Sequence, residues 1–179
     1  MPSRAKEIAK SLARTLLGDY SAYLIYSQTS GSHLTRKLET SPCLKVVAVN
    51  ALEIESSPDP LIREQIGYAG SGSMAYACFD QERIVAVCFY WFGDRYLTRN
   101  FWPLADGEAK LVQIVALPEL RGRGVATTLI AESCHAMVQQ GFSRVYARIW
   151  HSNAPSLGAF KRAGWTCVAL IIEVNPFRQ

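Results

Sequence analysis

The sequence has no long apolar run, and no apolar stretch reaches the roughly 18–20 residues that a membrane-spanning helix needs. We therefore expect no stable membrane insertion. The five cysteines contain no Cys-x-x-Cys pair, which disfavours a zinc site, and their odd number disfavours a complete disulfide framework. We interpret them as reduced, mostly buried thiols of a cytoplasmic protein. They are Cys43, Cys78, Cys88, Cys134 and Cys167.

Strong charge of one sign is also missing, because 19 basic residues face 15 acidic ones and the net charge is only +4. No run of Lys and Arg marks a surface for nucleic-acid phosphates, so nucleic acid is not an expected partner. A mildly basic balance suits a small anionic ligand. Charged residues interrupt the N-terminus from Arg4 to Arg14, so we do not expect a signal peptide there.

Residues 1–18 instead have the periodicity of an amphipathic helix, with basic residues opposite the apolar face. We predict that this helix docks on the rest of the domain. A membrane-surface helix, a partner-binding helix and an organellar targeting segment are the open alternatives. The apolar positions are Ala5, Ile8, Ala9, Leu12, Ala13, Leu16 and Leu17.

The remainder of the chain alternates between strand and helix patterns, which predicts a mixed sheet with helices on its faces. Its length fits one domain over residues 1–179. The predicted strands cover 20–26, 45–54, 75–79, 83–92, 110–117, 144–150 and 167–174. The predicted helices cover 61–68, 125–140 and 154–163.

One segment has the composition of an anion site: the strand pattern over 111–117 runs into Arg121-Gly122-Arg123-Gly124 and then into a helix. The glycines allow close backbone approach or a positive φ angle. Free N–H groups and the dipole of the following helix favour an anion, and the arginines add charge-assisted contacts. Neither GxGxxG nor a P-loop fits, since position 127 is Thr and no Gly-Lys-Ser/Thr follows. A phosphate-binding loop and a plain tight turn both stay open on these residues alone.

Two blocks together resemble the GNAT N-acetyltransferases. Residues 121–126, Arg-Gly-Arg-Gly-Val-Ala, resemble the family's Arg/Gln-x-x-Gly-x-Gly/Ala signature. Residues 153–165, Asn-Ala-Pro-Ser-Leu-Gly-Ala-Phe-Lys-Arg-Ala-Gly-Trp, resemble its Asn-x-x-Ala-x-x-Leu-Tyr-x-x-x-Gly-Phe helix. The resemblance implies an α/β (α+β) GNAT fold, with a mixed, mostly antiparallel sheet of about six or seven strands flanked by about four helices. It also implies an acyl-CoA-binding core over 108–174.

The same resemblance implies acetyl-CoA as cosubstrate, without a metal. A gap between the strands over 111–117 and 144–150 would admit the thioester, and the backbone N–H of Val115 would stabilise the oxyanion. Backbone groups over 114–116 would pair with the pantetheine arm, and amides over 122–127 would hold the pyrophosphate. The implied coenzyme contacts are Ile114, Val115, Ala116, Arg121, Gly122, Arg123, Gly124, Val125, Ala126, Thr127, Asn153, Ser156 and Phe160.

The acid that protonates the leaving thiolate is open. Many relatives carry Tyr where this chain has Phe160, and Phe has no proton to give. Tyr146 and Ser156 lie nearby in sequence, although each is also explained as a structural residue. Release of coenzyme A as a thiolate is the alternative.

The base is open as well. His151 is the leading candidate because an imidazole titrates near neutral pH, and a structural histidine at the end of a strand is the alternative. A water-mediated base is a further alternative, and Glu108 and Glu173 are weaker candidates. Gln113 cannot act as a base, but it could orient water or substrate. Arg148 stands where the enzymes that acetylate ribosomal protein N-termini carry Glu, which argues against that subgroup.

The acceptor has no motif. Residues 90–103 are rich in aromatics and include Arg95 and Arg99, which suits an anionic amine, although a surface loop or a dimer face explains them too. We predict direct attack of a small primary amine, such as an amino sugar or amino acid, on acetyl-CoA in a ternary complex. A peptide or protein acceptor, a non-catalytic acyl-CoA sensor and a homodimer are left open.

Overall fold

The computed structural model describes residues 19–29, 44–99 and 102–175. Within these ranges, seven strands form a single sheet. They are β1 (Asp19–Thr29), β2 (Leu44–Val49), β3 (Ser73–Asp80), β4 (Arg83–Trp91), β5 (Glu108–Ala116), β6 (Arg144–Trp150) and β7 (Thr166–Asn175). The order across the sheet is β2-β3-β4-β5-β6-β1-β7. Only the β5–β6 pair is parallel; the other neighbours are antiparallel.

Five α-helices accompany the sheet in the described ranges. They are α1 (Ala51–Glu55), α2 (Pro60–Arg63), α3 (Gly93–Leu97), α4 (Val125–Gln139) and α5 (Ala154–Arg162), with short 3-10 helices over Glu64–Tyr68 and Pro118–Leu120. This confirms the predicted α/β class and the mixed, mostly antiparallel sheet. The helix predicted over residues 1–18 lies outside the described residues, as does Cys43.

The long helix α4 makes the crossover that a parallel strand pair requires, and it packs on one face of the sheet. The hydroxyl groups of Tyr90 and Ser133 lie 2.9 Å apart, and the Tyr76 hydroxyl contacts the Met137 sulfur at 3.7 Å. Leu129 of α4 is fully buried. Each such aliphatic side chain contributes about 1.5–3 kcal/mol through burial. These contacts hold one face of the sheet against α4, the helix that begins at the glycine loop.

Most predicted elements are confirmed within two residues at each end, and the strand over 144–150 is confirmed at both ends. The strand predicted over 45–54 is wrong in its second half, because the chain turns at Asn50 and forms α1. The Asn50 side chain accepts from the Glu53 amide at 3.1 Å, and the Glu53 carboxylate accepts from the Asn50 amide at 2.7 Å. This capping box outweighs the strand pattern of the following residues.

Three of the four described cysteines have the buried position predicted for them. Cys78, Cys88 and Cys134 are free and buried, whereas Cys167 is free and exposed. Burial raises the pKa of the Cys78 thiol to about 11 and the pKa of Cys88 and Cys134 to about 12. The described part of the chain also lacks any helix with the length and apolarity to cross a membrane.

Candidate functional site

An open gap lies between β5 and β6. The two strands pair from Glu108 and Arg144 only as far as Leu111 and Ala147. Beyond that point β5 continues along β4 to Ala116, and β6 continues along β1 to its end. Burial changes at the same place, because β5 is buried up to Leu111 and only half-buried from there to Ala116. The predicted gap is present in the structure.

A β-bulge marks the point where the strands separate. The consecutive residues Phe89 and Tyr90 of β4 pair with Gln113 and Leu111, which leaves Val112 as the extra residue of β5. A bulge bends its strand and increases the local twist. It therefore turns the second half of β5, with Ile114, Val115 and Ala116, away from β6. These three residues pair with β4 on one side and face the gap on the other.

The glycine loop directly follows this strand. Gly122 and Gly124 have φ angles of 80° and 81°, which L side chains rarely adopt, and a Cβ on either would meet nothing within 4 Å. No side chain caps α4, whose first N–H groups have no acceptor within the helix. Arg121 and Arg123 are exposed beside the loop. The Thr127 hydroxyl is buried and has no hydrogen-bond partner among the described residues.

The loop and the gap form one continuous feature, because β5 reaches the loop through Leu117 and a single 3-10 turn. The Leu117 amide donates to the Val85 carbonyl at 2.9 Å, which anchors the end of β5 to β4. The arrangement offers an extended backbone edge at one end and a cluster of N–H donors with two arginines at the other. It fits a long ligand that carries an anionic group at one end.

His151 lies in the turn after β6 with its side chain exposed. Its backbone N–H donates to the Ala22 carbonyl at 3.0 Å, and its Nδ1 lies 3.1 Å from the same oxygen. Because a carbonyl only accepts, the proton belongs on Nδ1 and Nε2 is the basic nitrogen of the neutral ring. Ala22 belongs to β1, on the side of β6 opposite the gap. The catalytic role of His151 stays a prediction.

Tyr146 lies in the closed part of the β5–β6 pair, beside the start of the gap. Its hydroxyl accepts from the Arg144 guanidinium at 3.2 Å and donates to the Glu108 carboxylate at 3.4 Å. The other carboxylate oxygen of Glu108 accepts from the Ala105 amide at 2.9 Å. Tyr146 and Glu108 are thus engaged with each other, and the proton-donor role of Tyr146 also stays a prediction.

The residues of the second sequence block begin and fill α5. The Asn153 side chain accepts from the Ser156 amide at 3.2 Å and so caps the helix. Phe160 is buried, with its ring centroid 5.0 Å from that of Trp165 and 6.2 Å from that of Tyr26. The Phe160 side chain therefore packs in an aromatic cluster with Trp165 and Tyr26.

Lys110 was not among the residues that the sequence singled out. It lies on β5 opposite Tyr146, and its side chain is buried. Burial, followed by the nearby charges of Arg148 and Arg99, lowers the pKa of Lys110 to about 6. Lys110 is a charged residue within the apolar strand pattern that precedes the glycine loop. The sequence therefore shows a signal here, because lysine is almost never fully buried.

The two cations predicted in the aromatic segment 90–103 play different parts. Arg95 donates to the carbonyl oxygens of Ala69 at 2.9 Å, Gly67 at 3.1 Å and Ser71 at 3.2 Å, so it ties down that loop. Arg99 is exposed and lies 5.2–5.3 Å from two aromatic ring centroids. Only Arg99 is therefore presented to solvent beside the sheet.

The weaker candidates have structural contacts of their own. The Gln113 amide donates to the Gln65 side chain at 2.8 Å, and Glu173 lies 3.8 Å from Arg148. His135, to which the sequence assigns no role, is exposed on α4, where its ring contacts Gln139 at 2.9 Å. Over 19–29, 44–99 and 102–175, no group of three or more His, Cys, Asp or Glu residues is arranged to hold a metal ion.

Comparison with known proteins assigns the chain to a family. The acetyltransferase (GNAT) family profile matches residues 43–165. A GNAT-family protein from Novosphingobium aromaticivorans has a similar structure, with a TM-score of 0.56, 16% sequence identity and coverage of 88% of this chain and 64% of that one. A GCN5-related N-acetyltransferase from Kribbella flavida is also similar, with a TM-score of 0.57 and 13% sequence identity. The match covers 98% of this chain and 64% of that one.

A tandem GNAT protein from the clavulanic acid biosynthesis pathway gives a TM-score of 0.58, 11% identity and coverage of 93% and 58%. The chain thus spans less than two thirds of each of these three structures. At these identities the likeness concerns the fold alone. No curated protein matches the chain by sequence.

Proposed function

Since the chain belongs to the acetyltransferase (GNAT) family, we propose that it transfers an acetyl group from acetyl-CoA to a primary amine. The observation that carries this proposal is the continuity of the β5–β6 gap with the glycine loop. A bulged strand edge and an uncapped helix N-terminus together suit the two ends of a coenzyme that is extended and anionic.

For the coenzyme, we propose that amides over 122–127 bind the pyrophosphate and that Arg121 and Arg123 add charge-assisted contacts. The orphaned Thr127 hydroxyl supports this assignment, because a bound phosphate oxygen gives it an acceptor. Backbone groups over 114–116 would extend the sheet onto the pantetheine arm, and Asn153, Ser156 and Phe160 would flank its thiol end. Bound acetyl-CoA supplies the acyl group as an activated thioester.

In the proposed reaction the amine nitrogen forms a bond to the acyl carbon and the carbon–sulfur bond breaks. The backbone N–H of Val115 would stabilise the negative charge that develops on the carbonyl oxygen. His151 is the proposed acceptor of the amine proton, and Tyr146 is the proposed donor to the departing thiolate. The acceptor is a small amine, with peptide or protein amines as the alternative.

Titration calorimetry with acetyl-CoA, followed by a thiol-release assay on panels of amines, tests the proposal. Gly124→Glu should abolish measurable acetyl-CoA binding, because it adds a negative charge and a strained φ angle at the pyrophosphate site. The double variant Arg121→Gln/Arg123→Gln avoids that strain and should bind about tenfold more weakly.

The matched control is His135→Glu, which adds a negative charge to the exposed face of the same helix about 16 Å along its axis. It should bind acetyl-CoA like the unaltered protein. Normal binding by the Gly124→Glu and double-arginine variants would overturn the coenzyme site.

A second candidate function is a non-catalytic sensor of acyl-CoA. The buried Phe160, in place of the family's usual Tyr, favours it. Coenzyme binding without thiol release from any acceptor would support the sensor over the enzyme. We further propose one domain over 1–179 and a cytoplasmic location. We also propose a homodimer, and analytical ultracentrifugation tests this oligomeric state.

A further inference from the structure

Two glutamine side chains form a hydrogen-bonded pair beside the gap. Gln113 is the first residue of β5 after the bulge, and its side-chain N–H donates to the Gln65 side-chain oxygen at 2.8 Å. Gln65 belongs to the 3-10 helix over Glu64–Tyr68, and its own side-chain N–H donates to the Leu61 carbonyl at 3.0 Å. Gln65 is buried, whereas Gln113 is half-buried. The pair therefore joins the strand that borders the gap to a segment that is distant in sequence.

The main-chain oxygen of Leu61 fixes the orientation of both amide groups. A carbonyl oxygen only accepts hydrogen bonds, so the NH2 group of Gln65 faces Leu61 and its oxygen faces Gln113. The NH2 group of Gln113 consequently faces Gln65, since the reverse orientation would set one oxygen against another. The Gln113 side-chain oxygen is left without a hydrogen-bond partner among the described residues, and it is not sealed from solvent. This oxygen is therefore available to a donor on a bound ligand.

Gln113 lies on the face of the sheet opposite α4. Its pairing partner on β4 is Phe89, whereas the next residue, Tyr90, contacts α4 through its hydroxyl group. Successive side chains of a strand point to opposite faces, so Phe89 and Gln113 share the face away from α4. The Tyr68 ring packs there, with its centroid 5.6 Å from that of Phe89. The 3-10 helix that carries Gln65 therefore covers this face beside the gap.

The two faces of the gap suit the two substrates of the proposed reaction. The glycine loop leads into α4 on one face, which is where the anionic end of the coenzyme lies in the proposed site. A coenzyme whose acyl group enters the gap from that face leaves the opposite face open to the amine. Gln113 is on that opposite face and directly precedes Ile114, at the strand edge proposed for the pantetheine arm.

We propose that Gln113 binds the acceptor amine through its side-chain oxygen, and that Gln65 is a positioning residue that holds this oxygen toward the ligand. The proposal rests on the proposed acyl transfer and names the group that orients its second substrate. A neutral amine that donates one N–H to Gln113 keeps its lone pair for the acyl carbon. As the carbon–nitrogen bond forms, the nitrogen becomes positively charged and this hydrogen bond strengthens. Gln113 takes no proton, because an amide is not a base, and the proton leaves through another N–H of the same nitrogen.

The first test compares Gln113→Met with the unaltered protein, because methionine has a similar volume but lacks the amide oxygen. Thiol release from acetyl-CoA is measured with glycine, glucosamine, putrescine and a lysine-containing peptide, and the amine that reacts fastest with the unaltered protein is kept. Gln113→Met should lower kcat/KM for that amine at least about tenfold, mainly through kcat, and should leave the Kd of acetyl-CoA unchanged. The matched control is Gln139→Met, which removes an exposed amide from α4 and should change neither quantity.

The second test determines whether Gln65 acts through Gln113. Gln65→Met removes the acceptor that faces the Gln113 amide, and kcat/KM for the same amine should fall at least about threefold. Gln65→Glu in its protonated form reproduces both hydrogen bonds, since its O–H donates to Leu61 and its other oxygen accepts from Gln113. Burial favours that form, so kcat/KM of Gln65→Glu relative to Gln65→Met should rise as the pH falls from about 8 to about 6. Neither Gln65 change should lower kcat/KM further when Gln113 is already Met.

Each other result contradicts a stated part of the proposal. Equal kcat/KM for Gln113→Met and the unaltered protein would overturn it and leave acyl transfer standing. A matching loss of acetyl-CoA binding would overturn it too, because the variant would then have damaged the whole site. A full effect of Gln65→Met in the Gln113→Met background would remove the positioning role. Binding of acetyl-CoA without thiol release from any of the amines would overturn the proposal and favour the sensor, whereas absence of acetyl-CoA binding would remove the proposed function itself.

Discussion

Lys110 has an environment unlike that of an ordinary surface lysine, since it is buried in β5 among cations and aromatic rings. Burial is the largest cause of its lowered pKa, followed by Arg148 and then Arg99. A lysine held in this state reduces stability wherever the unfolded chain would hold its proton more tightly.

Replacement of Lys110 by Met should therefore raise the free energy of unfolding by an amount that depends on pH. Its pKa is about 6 in the folded protein, against an ordinary 10.5. Between these values the unfolded chain binds more protons, so the stability of the unaltered protein rises with pH. The gain from Lys110→Met should be largest near pH 6 and smallest near pH 10. Urea unfolding across this range measures it, with the exposed Lys45→Met as control. A gain that is constant with pH would contradict the prediction.

Asn153 has a structural role in the fold and a proposed role toward the coenzyme, and two variants separate them. Asn153→Ala should lose about 1 kcal/mol of stability, because the Ser156 amide loses its cap, and should also bind acetyl-CoA more weakly. Asn153→Ser keeps a capping oxygen but loses the amide group. It should retain stability in urea and bind acetyl-CoA several-fold more weakly in calorimetry. Binding equal to that of the unaltered protein would leave Asn153 as a cap alone.

At the scale of elements, the attachment of α4 to the sheet controls where the glycine loop lies. The Tyr90 and Ser133 hydroxyl groups meet at 2.9 Å, and both residues are fully buried. This is the shortest hydrogen bond described between β4 and α4, and it leaves neither hydroxyl unsatisfied.

Tyr90→Phe and Ser133→Ala should each lower the free energy of unfolding by about 1–2 kcal/mol. The double variant should lose less than the sum of the two, because the same bond is removed in each. Urea unfolding of the four proteins gives the coupling energy. Tyr76→Phe is the comparison, since its hydroxyl donates to the weakly accepting Met137 sulfur at 3.7 Å and its loss should be smaller. Strictly additive losses of stability would mean that the Tyr90–Ser133 hydroxyl pair does not couple β4 to α4.

The elements also show how far sequence reasoning extends. Alternating apolar residues and flanking glycines predicted the strands and helices of the second half within two residues, because period and turn chemistry agree there. The bulge at Val112 was beyond that reasoning, since one extra residue in a strand has no composition of its own. The capping box formed by Asn50 and Glu53 has a sequence pattern of its own, Asn-x-x-Glu, which competes with the strand pattern over the same residues.

The candidate site likewise has parts that the sequence predicts and parts that it does not. The glycine loop was predictable, because helix entry and positive φ angles restrict the residues allowed there. The lowered pKa of Lys110 was not, since its causes lie on three segments that are distant in sequence. Neither the burial of Lys110 nor its pairing with Tyr146 follows from sequence spacing.

On the scale of the whole molecule, β1 lies between β6 and β7 and pairs with both. A chain that lacks residues 1–29 should therefore lose cooperative unfolding, because β7 would have no neighbour in the sheet. A chain that lacks only residues 1–18 retains β1 and is the matched comparison. Circular dichroism during urea unfolding distinguishes them. A cooperative transition in the shorter chain, as steep as that of the comparison, would contradict this view of the sheet.

The position of β1 has a consequence for biosynthesis. The ribosome makes this strand long before its partners, residues 144–150 and 166–175. These pairings join residues that are more than a hundred positions apart, so they raise the contact order and slow folding. Until residue 175 has emerged, the nascent chain lacks native partners of this strand, which is then able to meet a wrong one. This half of the sheet is therefore completed only after both distant segments have been made.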